Sequence, residues 1–144
     1  MSDFIVWQEQ YSVGIDSIDV QHKMIIDLLN NNYQALKNGA ITRTYVDDFL
    51  DRLLIYTETH FRYEEMLMEF AGFDHLREHA QYHREMRLKT KGISLSLTKD
   101  FTEQFQLAHK MLRDWWLHHI LEIDRKYVPF FMKSAFRPGL PPGG

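Results

Sequence analysis

Apolar residues along this chain recur at helical spacing, in four stretches separated by short polar or glycine-containing breaks. The first stretch carries Ile18, Ile25, Leu29 and Leu36 on one face. Ser17 or Asp19 is placed to cap its start. Asn38-Gly39 is placed to end it, since glycine takes the left-handed conformation that closes a helix. A second helix is predicted from near Thr44, with Thr44 and Asp47 as a capping pair. It runs through Val46, Leu50, Leu53 and Leu67 to Gly72. A third begins near Asp74, carries Leu76 and Met86, and stops by Gly92. A fourth begins between Thr98 and Asp100 and carries Phe101, Phe105, Ala108, Leu112 and Trp115. No stretch alternates with the period of two that a half-buried strand requires.

Short connections make neighbouring helices antiparallel. The pattern therefore predicts an all-α protein: an antiparallel up-down-up-down four-helix bundle with an N-terminal arm and a short C-terminal helix. The expected domain is 1–133, made of an arm over 1–16, the bundle over 17–123 and a C-terminal segment over 124–133. Residues 134–144 end in Arg137-Pro138-Gly139-Leu140-Pro141-Pro142-Gly143-Gly144 and read as a flexible Pro/Gly tail.

The apolar stripes are interrupted by polar residues in register. His22 lies four residues after Ile18 and three before Ile25. Leu53, His60, Glu64 and Leu67 step by seven, four and three, and Leu76, His79, His83 and Met86 by three, four and three. Leu112, Trp115 and His119 step by three and four. Each of these polar residues occupies a core-facing position. A lone core histidine is ordinarily a hydrogen-bonded imidazole. Five of them with a glutamate, converging from four helices, would cost several kcal/mol each if left without partners. A shared metal site satisfies them together. His60/Glu64 and His79/His83 are i, i+4 pairs, about 40° apart on a helix, so both members reach one centre. His75/His79 is a rival pair of the same spacing. Asp124 lies five residues after His119, about 140° around a regular helix. It joins such a site only if the helix breaks or changes course.

Composition narrows the chemistry. A chain of 144 residues buries about 70% of its unfolded surface, enough for one core. There is no cysteine, which excludes disulfides, thiolate metal sites, iron–sulfur clusters and thiol catalysis. The net charge of −3 argues against a nucleic-acid partner, which needs a basic face. No apolar run approaches the roughly 20 residues of a membrane span, and Met1–Trp7 lacks the basic and apolar regions of a signal peptide. The expected location is cytoplasmic.

The motifs Asp19-Val20-Gln21-His22, His60-Phe61-Arg62-Tyr63-Glu64-Glu65, His79-Ala80-Gln81-Tyr82-His83 and Trp115-Trp116-Leu117-His118-His119-Ile120, followed by Asp124, resemble those of the bacterial haemerythrins. The resemblance covers roughly residues 4–132. It implies a non-haem di-iron centre: His79, His83 and His119 on one iron, His22 and His60 on the other. Glu64 and Asp124 bridge the pair, with an oxo or hydroxo group as the third bridge. The family spacing from Glu64 selects His79 and His83 over His75. The family also breaks its fourth helix near the end, which supplies the turn that Asp124 requires.

The implied ligand set closes the first iron at six ligands and leaves the second at five. One position is then open for a small ligand bound end-on, as hydroperoxide in the family. Imidazole and carboxylate suit iron, although zinc and manganese accept the same ligands. Nitrogen-rich ligation with one open position favours reversible dioxygen binding for storage, delivery or sensing, and not enzymatic turnover. The alternatives are a di-iron oxidase or peroxidase, or a protein that handles nitric oxide or small anions. A third is an iron-binding signalling module. Ile25, Phe61, Trp115, Trp116 and Ile120 are the candidate apolar pocket. Trp116 stands where the family commonly has leucine, and its bulk narrows the pocket entrance. His118 replaces a common asparagine, and Phe73-Asp74 a common Tyr-Pro. His118 reads as a surface or outer residue, His109 as solvated, Glu65 as pointing off the core, and Arg84 to Lys91 as a solvated basic face.

Overall fold

The computed structural model describes residues 4–133, with side chains described to residue 130. The predicted tail over 134–144 lies outside the described residues. Four long helices form the body: α1 (Asp16–Lys37), α2 (Arg43–Ala71), α3 (Leu76–Ser96) and α4 (Phe101–His118). α4 passes into a π-helical turn (His119–Ile123), a 3-10 turn (Asp124–Tyr127) and the short α5 (Val128–Lys133). The packing is a closed ring, α1 on α2, α2 on α3, α3 on α4 and α4 on α1, as an antiparallel up-down-up-down bundle demands. No helix among the described residues is long and apolar enough to cross a membrane.

The helix ends differ in detail from the sequence expectation. α1 starts at Asp16 with no side-chain cap from Ser17 or Asp19. Asp19 instead reaches back into the arm. Its carboxylate accepts the Val13 N–H at 2.9 Å and the Ser12 hydroxyl. Thr42, not Thr44, caps α2, its hydroxyl accepting the Tyr45 N–H at 3.0 Å. α2 ends at Gly72, which adopts φ 71°. Gly92 does not stop α3, which runs on to Ser96. Ile93 buries into the main core. Arg43 donates to the Ser94 carbonyl and the Ser94 hydroxyl to Asp47, so α2 holds the last turn in place.

The core divides in two. The larger cluster contains Ile25, Leu29, Phe49, Leu53, Phe61, Phe105, Leu112, Trp116 and Ile120. A smaller one joins the arm residues Val13 and Ile15 to Leu67, Met68, Phe73 and Tyr127. The arm is pinned at its start by Asn30, whose amide both accepts from and donates to the Ile5 backbone, at 2.8 and 2.7 Å. The metal-ligand candidates lie where the two clusters meet.

Candidate metal centre

Seven polar residues converge from five elements: His22 from α1, His60 and Glu64 from α2, and His79 and His83 from α3. His119 opens the π turn and Asp124 opens the 3-10 turn. They form two groups that could hold a metal ion: Glu64, His79, His83, His119 and Asp124, and His22, His60, Glu64 and Asp124. All are buried, none more than 3% exposed. The rival His75 is exposed at the start of α3, and its imidazole faces Glu78.

The π turn resolves the spacing problem. Its hydrogen bonds run from residue i+5 to residue i, and the Asp124 N–H donates to the His119 carbonyl. Residues five apart therefore share a face, and Asp124 Oδ1 sits 2.9 Å from His119 Nε2. Of the two expected possibilities, a break or a change of course, the helix takes the second, as one widened turn followed by a 3-10 turn.

The two carboxylates divide their oxygens between the groups. Glu64 Oε1 lies 3.1 Å from His83 Nε2 and 3.3 Å from His79 Nε2, while Oε2 lies 3.2 Å from His60 Nε2. Asp124 Oδ1 lies 3.0 Å from His79 Nε2, while Oδ2 lies 3.0 Å from His22 Nε2. Within the groups, His22 and His60 bring their Nε2 atoms to 3.0 Å, and His83 and His119 to 3.2 Å. An imidazole nitrogen sits about 2.1 Å from a first-row divalent ion, so adjacent corners of an octahedron are about 3.0 Å apart. The spacings suit two ions. Both Asp124 oxygens lack a hydrogen-bond partner with proper geometry, as does the Nδ1 of His22 and of His119. For Asp124, that is what a carboxylate aimed at cations looks like before the cations are counted.

The electrostatics agree. Burial alone would raise both carboxyls. The facing imidazoles outweigh it and hold Glu64 and Asp124 well below the usual carboxylate range. Burial would lower the imidazoles, but the contacts of Asp124 and Glu64 push His22 and His79 up to about 9. His119 is raised for the same reason. His60 is lowered, because burial outweighs the attraction of Glu64. Two buried carboxylates thus require positive charge, from protons or from metal ions.

Outer contacts orient the imidazoles, which fixes the tautomer that presents Nε2 inward. His60 Nδ1 donates to Gln21 Oε1 at 2.7 Å. His83 Nδ1 lies 3.3 Å from Glu65 Oε2, and Arg87 approaches the same oxygen at 3.8 Å. The expectation that Glu65 points away is therefore wrong in its consequence: it is partly exposed, yet reaches the far side of His83. The Tyr127 hydroxyl donates to Glu64 Oε2 at 3.0 Å, and burial beside the two carboxylates pushes its phenol well above the usual range. Gln21 and Tyr127 had no signal in the helical phases, since each acts across an interface or beyond the widened turn.

Four of the five pocket candidates, Ile25, Phe61, Trp116 and Ile120, are buried in the main core, and Trp115 packs against it partly exposed. Phe61 stacks on His83 with ring centroids 3.8 Å apart, and Trp115 on His119 at 4.5 Å. His118 is exposed. His109 is not solvated but 2% exposed. The Asn32 amide donates to its Nδ1 at 2.9 Å, and Tyr45 donates to Asn32, a separate polar knot that accounts for its burial.

Comparison with known proteins places this arrangement. A family model described as the hemerythrin HHE cation binding domain matches residues 13–131. A bacteriohemerythrin of Stenotrophomonas maltophilia (strain R551-3) is 32% identical over 126 residues, covering 86% of this chain and 79% of that protein. One of Clostridium acetobutylicum is 29% identical over 126 residues, covering 85% and 98%. Myohemerythrin-1 of Phascolopsis gouldii is 28% identical over 122 residues, covering 85% and 90%. The crystal structure of a single-site mutant of hemerythrin superposes with a TM-score of 0.65 at 25% identity, covering 90% of this chain and 97% of that one. The family match runs from the arm through α5, across every element that contributes to the cluster, and this chain belongs to the haemerythrin family.

Proposed function

We propose that this chain binds dioxygen reversibly at a pair of iron ions. The observation that carries the reading is the unequal division of side chains around two shared carboxylates. His79, His83 and His119 attend one position, His22 and His60 the other, and Glu64 and Asp124 serve both. With two irons bound, the first would take three histidines and the second two, beside the shared carboxylates, so the second would have room for a small ligand. The iron pair, when bound, supplies the two electrons by which dioxygen is held and released.

The protein's own part is to hold, orient and exclude. Helical spacing in α2 and α3 aims His60/Glu64 and His79/His83 at common points. Gln21 and Glu65 fix the rings of His60 and His83. Tyr127 donates to the Glu64 oxygen that faces His22 and His60, which would draw charge from that oxygen and make an iron held by those two histidines more electron-poor. Phe61, Trp116 and Ile120 keep bulk water from the centre, which favours an apolar diatomic over hydrated anions. Such binding would serve storage, delivery or sensing.

The test is optical. The iron-loaded, reduced protein is exposed to dioxygen and then to argon through repeated cycles. A visible charge-transfer band should appear and vanish without loss of amplitude. Irreversible oxidation coupled to consumption of a reductant would instead establish an oxidase.

A further inference from the structure

The two halves of the metal centre are covered very differently. The three-histidine half is roofed by flat rings. Phe61 lies face-on against His83 with 5° between planes, and Trp115 against His119 with 11°. Tyr127 adds a third ring 5.7 Å from His79. The two-histidine half is less closely covered: Phe61 and Trp116 stand tilted 6.0 and 5.9 Å from His60, and its α1/α2 side opens on a groove. There a cavity of about 230 Å³ is lined by Gln21, Met24 and Ile25 of α1 and by Ile55, Tyr56, Thr59 and His60 of α2.

That groove differs from its neighbours. Its walls contain no Asp, Glu, Lys or Arg. Its mouth is apolar and exposed, with Met24 at 43% and Ile55 at 66%. Its floor is Ile25 and His60, each 1% exposed. His60 is one of the seven converging residues, and Ile25 is one turn from His22, so a single side-chain layer separates the groove from the centre. The adjoining cavity of about 410 Å³ shares Gln21, Ile55 and Thr59 with it but holds Glu58 and Arg62, and cavities of about 550 and 450 Å³ elsewhere also carry charged residues; none of the three touches the seven.

We infer that this α1/α2 groove is the entry route for a small apolar gas, with Ile25 as the side chain that must swing aside. Resting on the reading above, that gas is dioxygen. An uncharged molecule of two heavy atoms loses little on leaving water for such walls, whereas a hydrated anion must shed its shell against Met24, Ile25 and Ile55. The groove therefore selects by hydration as well as by size. A side chain that blocks only a route slows entry and exit equally and leaves the equilibrium untouched, which distinguishes a route from a change at the metal centre.

The test places an indole at the exposed mouth, Ile55→Trp, with Leu107→Trp at an exposed position on α4 as the control. In iron-loaded protein, Ile55→Trp should lower both the association and dissociation rates of dioxygen by about tenfold, leaving their ratio as in the parent. Leu107→Trp should change neither. Equal rates in the parent and Ile55→Trp would overturn the route. A second readout does not depend on oxygen chemistry. Xenon, which occupies dry apolar cavities, should appear between Ile25 and Ile55 in pressurised crystals of the parent and be absent in Ile55→Trp. If dioxygen proves not to bind reversibly while xenon fills the groove, the functional reading fails and the route stands. If dioxygen binds and xenon is missing from the groove, the route fails alone.

Discussion

Asp124 presents one oxygen to each group of imidazoles, and neither oxygen has a hydrogen-bond partner of proper geometry. Replacing it with asparagine keeps the shape and removes the charge. Asp124→Asn should abolish retention of the iron pair, read by metal analysis of the purified chain, while the helical circular-dichroism signal is kept. Glu65 acts at one remove, through the far nitrogen of His83. Glu65→Gln keeps an acceptor there but loses the negative charge. It should weaken metal binding by about tenfold or more, within the range carried by such outer partners, measured by competition with a chelator. An unchanged affinity would reduce Glu65 to a surface residue. The residue scale also shows what sequence reasoning reached. His22, His60, Glu64, His79, His83 and His119 stand on apolar stripes, where a polar side chain is conspicuous. Gln21, Glu65 and Tyr127 stand off those stripes. Their contacts depend on how one helix meets another, which periodicity within a helix does not encode. The burial of His109 escapes periodicity for the same reason, because its partner Asn32 lies on another helix.

The element that sets the site apart is the π turn over His119–Ile123. A regular helix would turn Asp124 about 140° from His119. The widened turn spends one extra residue to bring them together, and such turns often mark functional positions. Inserting an alanine after Leu121, which is only partly buried, should place Asp124 six residues after His119, about 120° around a regular helix, and swing it away. The iron pair should then be lost with little change in helix content. Retention of both irons would show that Asp124 is dispensable. Four helices and their order were legible because each stripe is long and ends in a recognisable break. Helix ends were less so. Gly92 looks like a stop, but Ile93 is drawn into the core and Ser94 is held by Arg43 and Asp47, so tertiary packing carries the helix past a residue that costs only about 1 kcal/mol in a helix interior. The π turn has no compositional signature, so spacing alone leaves Asp124 off the site and only the family resemblance includes it.

At the scale of the molecule, folding and metal binding share one set of charges. Without metal, His22 and His79 titrate near 9, above the ordinary 6.5. Raised values mean that their protonation stabilises the fold fully below pH 6.5, with the contribution lost as pH rises through about 9. The depressed carboxyls of Glu64 and Asp124 act oppositely: their contribution is present above the ordinary carboxylate range and lost on acidification. Metal ions replace the protons on the imidazoles. The metal-free protein should therefore lose thermal stability between pH 7 and about 9.5, while the loaded protein should not. Iron uptake at pH 7 should release protons, read by calorimetry in buffers of different ionisation heat. The bundle itself, with one core cluster on each side of the cluster of histidines, is the frame that keeps these charges together. Two irons held unequally in this frame, as proposed, would be located by an anomalous difference map at the iron edge from crystals of the loaded protein. Two peaks are predicted, one among His79, His83 and His119 and one beside His22 and His60, with Glu64 and Asp124 between them. A single peak, or one lying outside these residues, would contradict it.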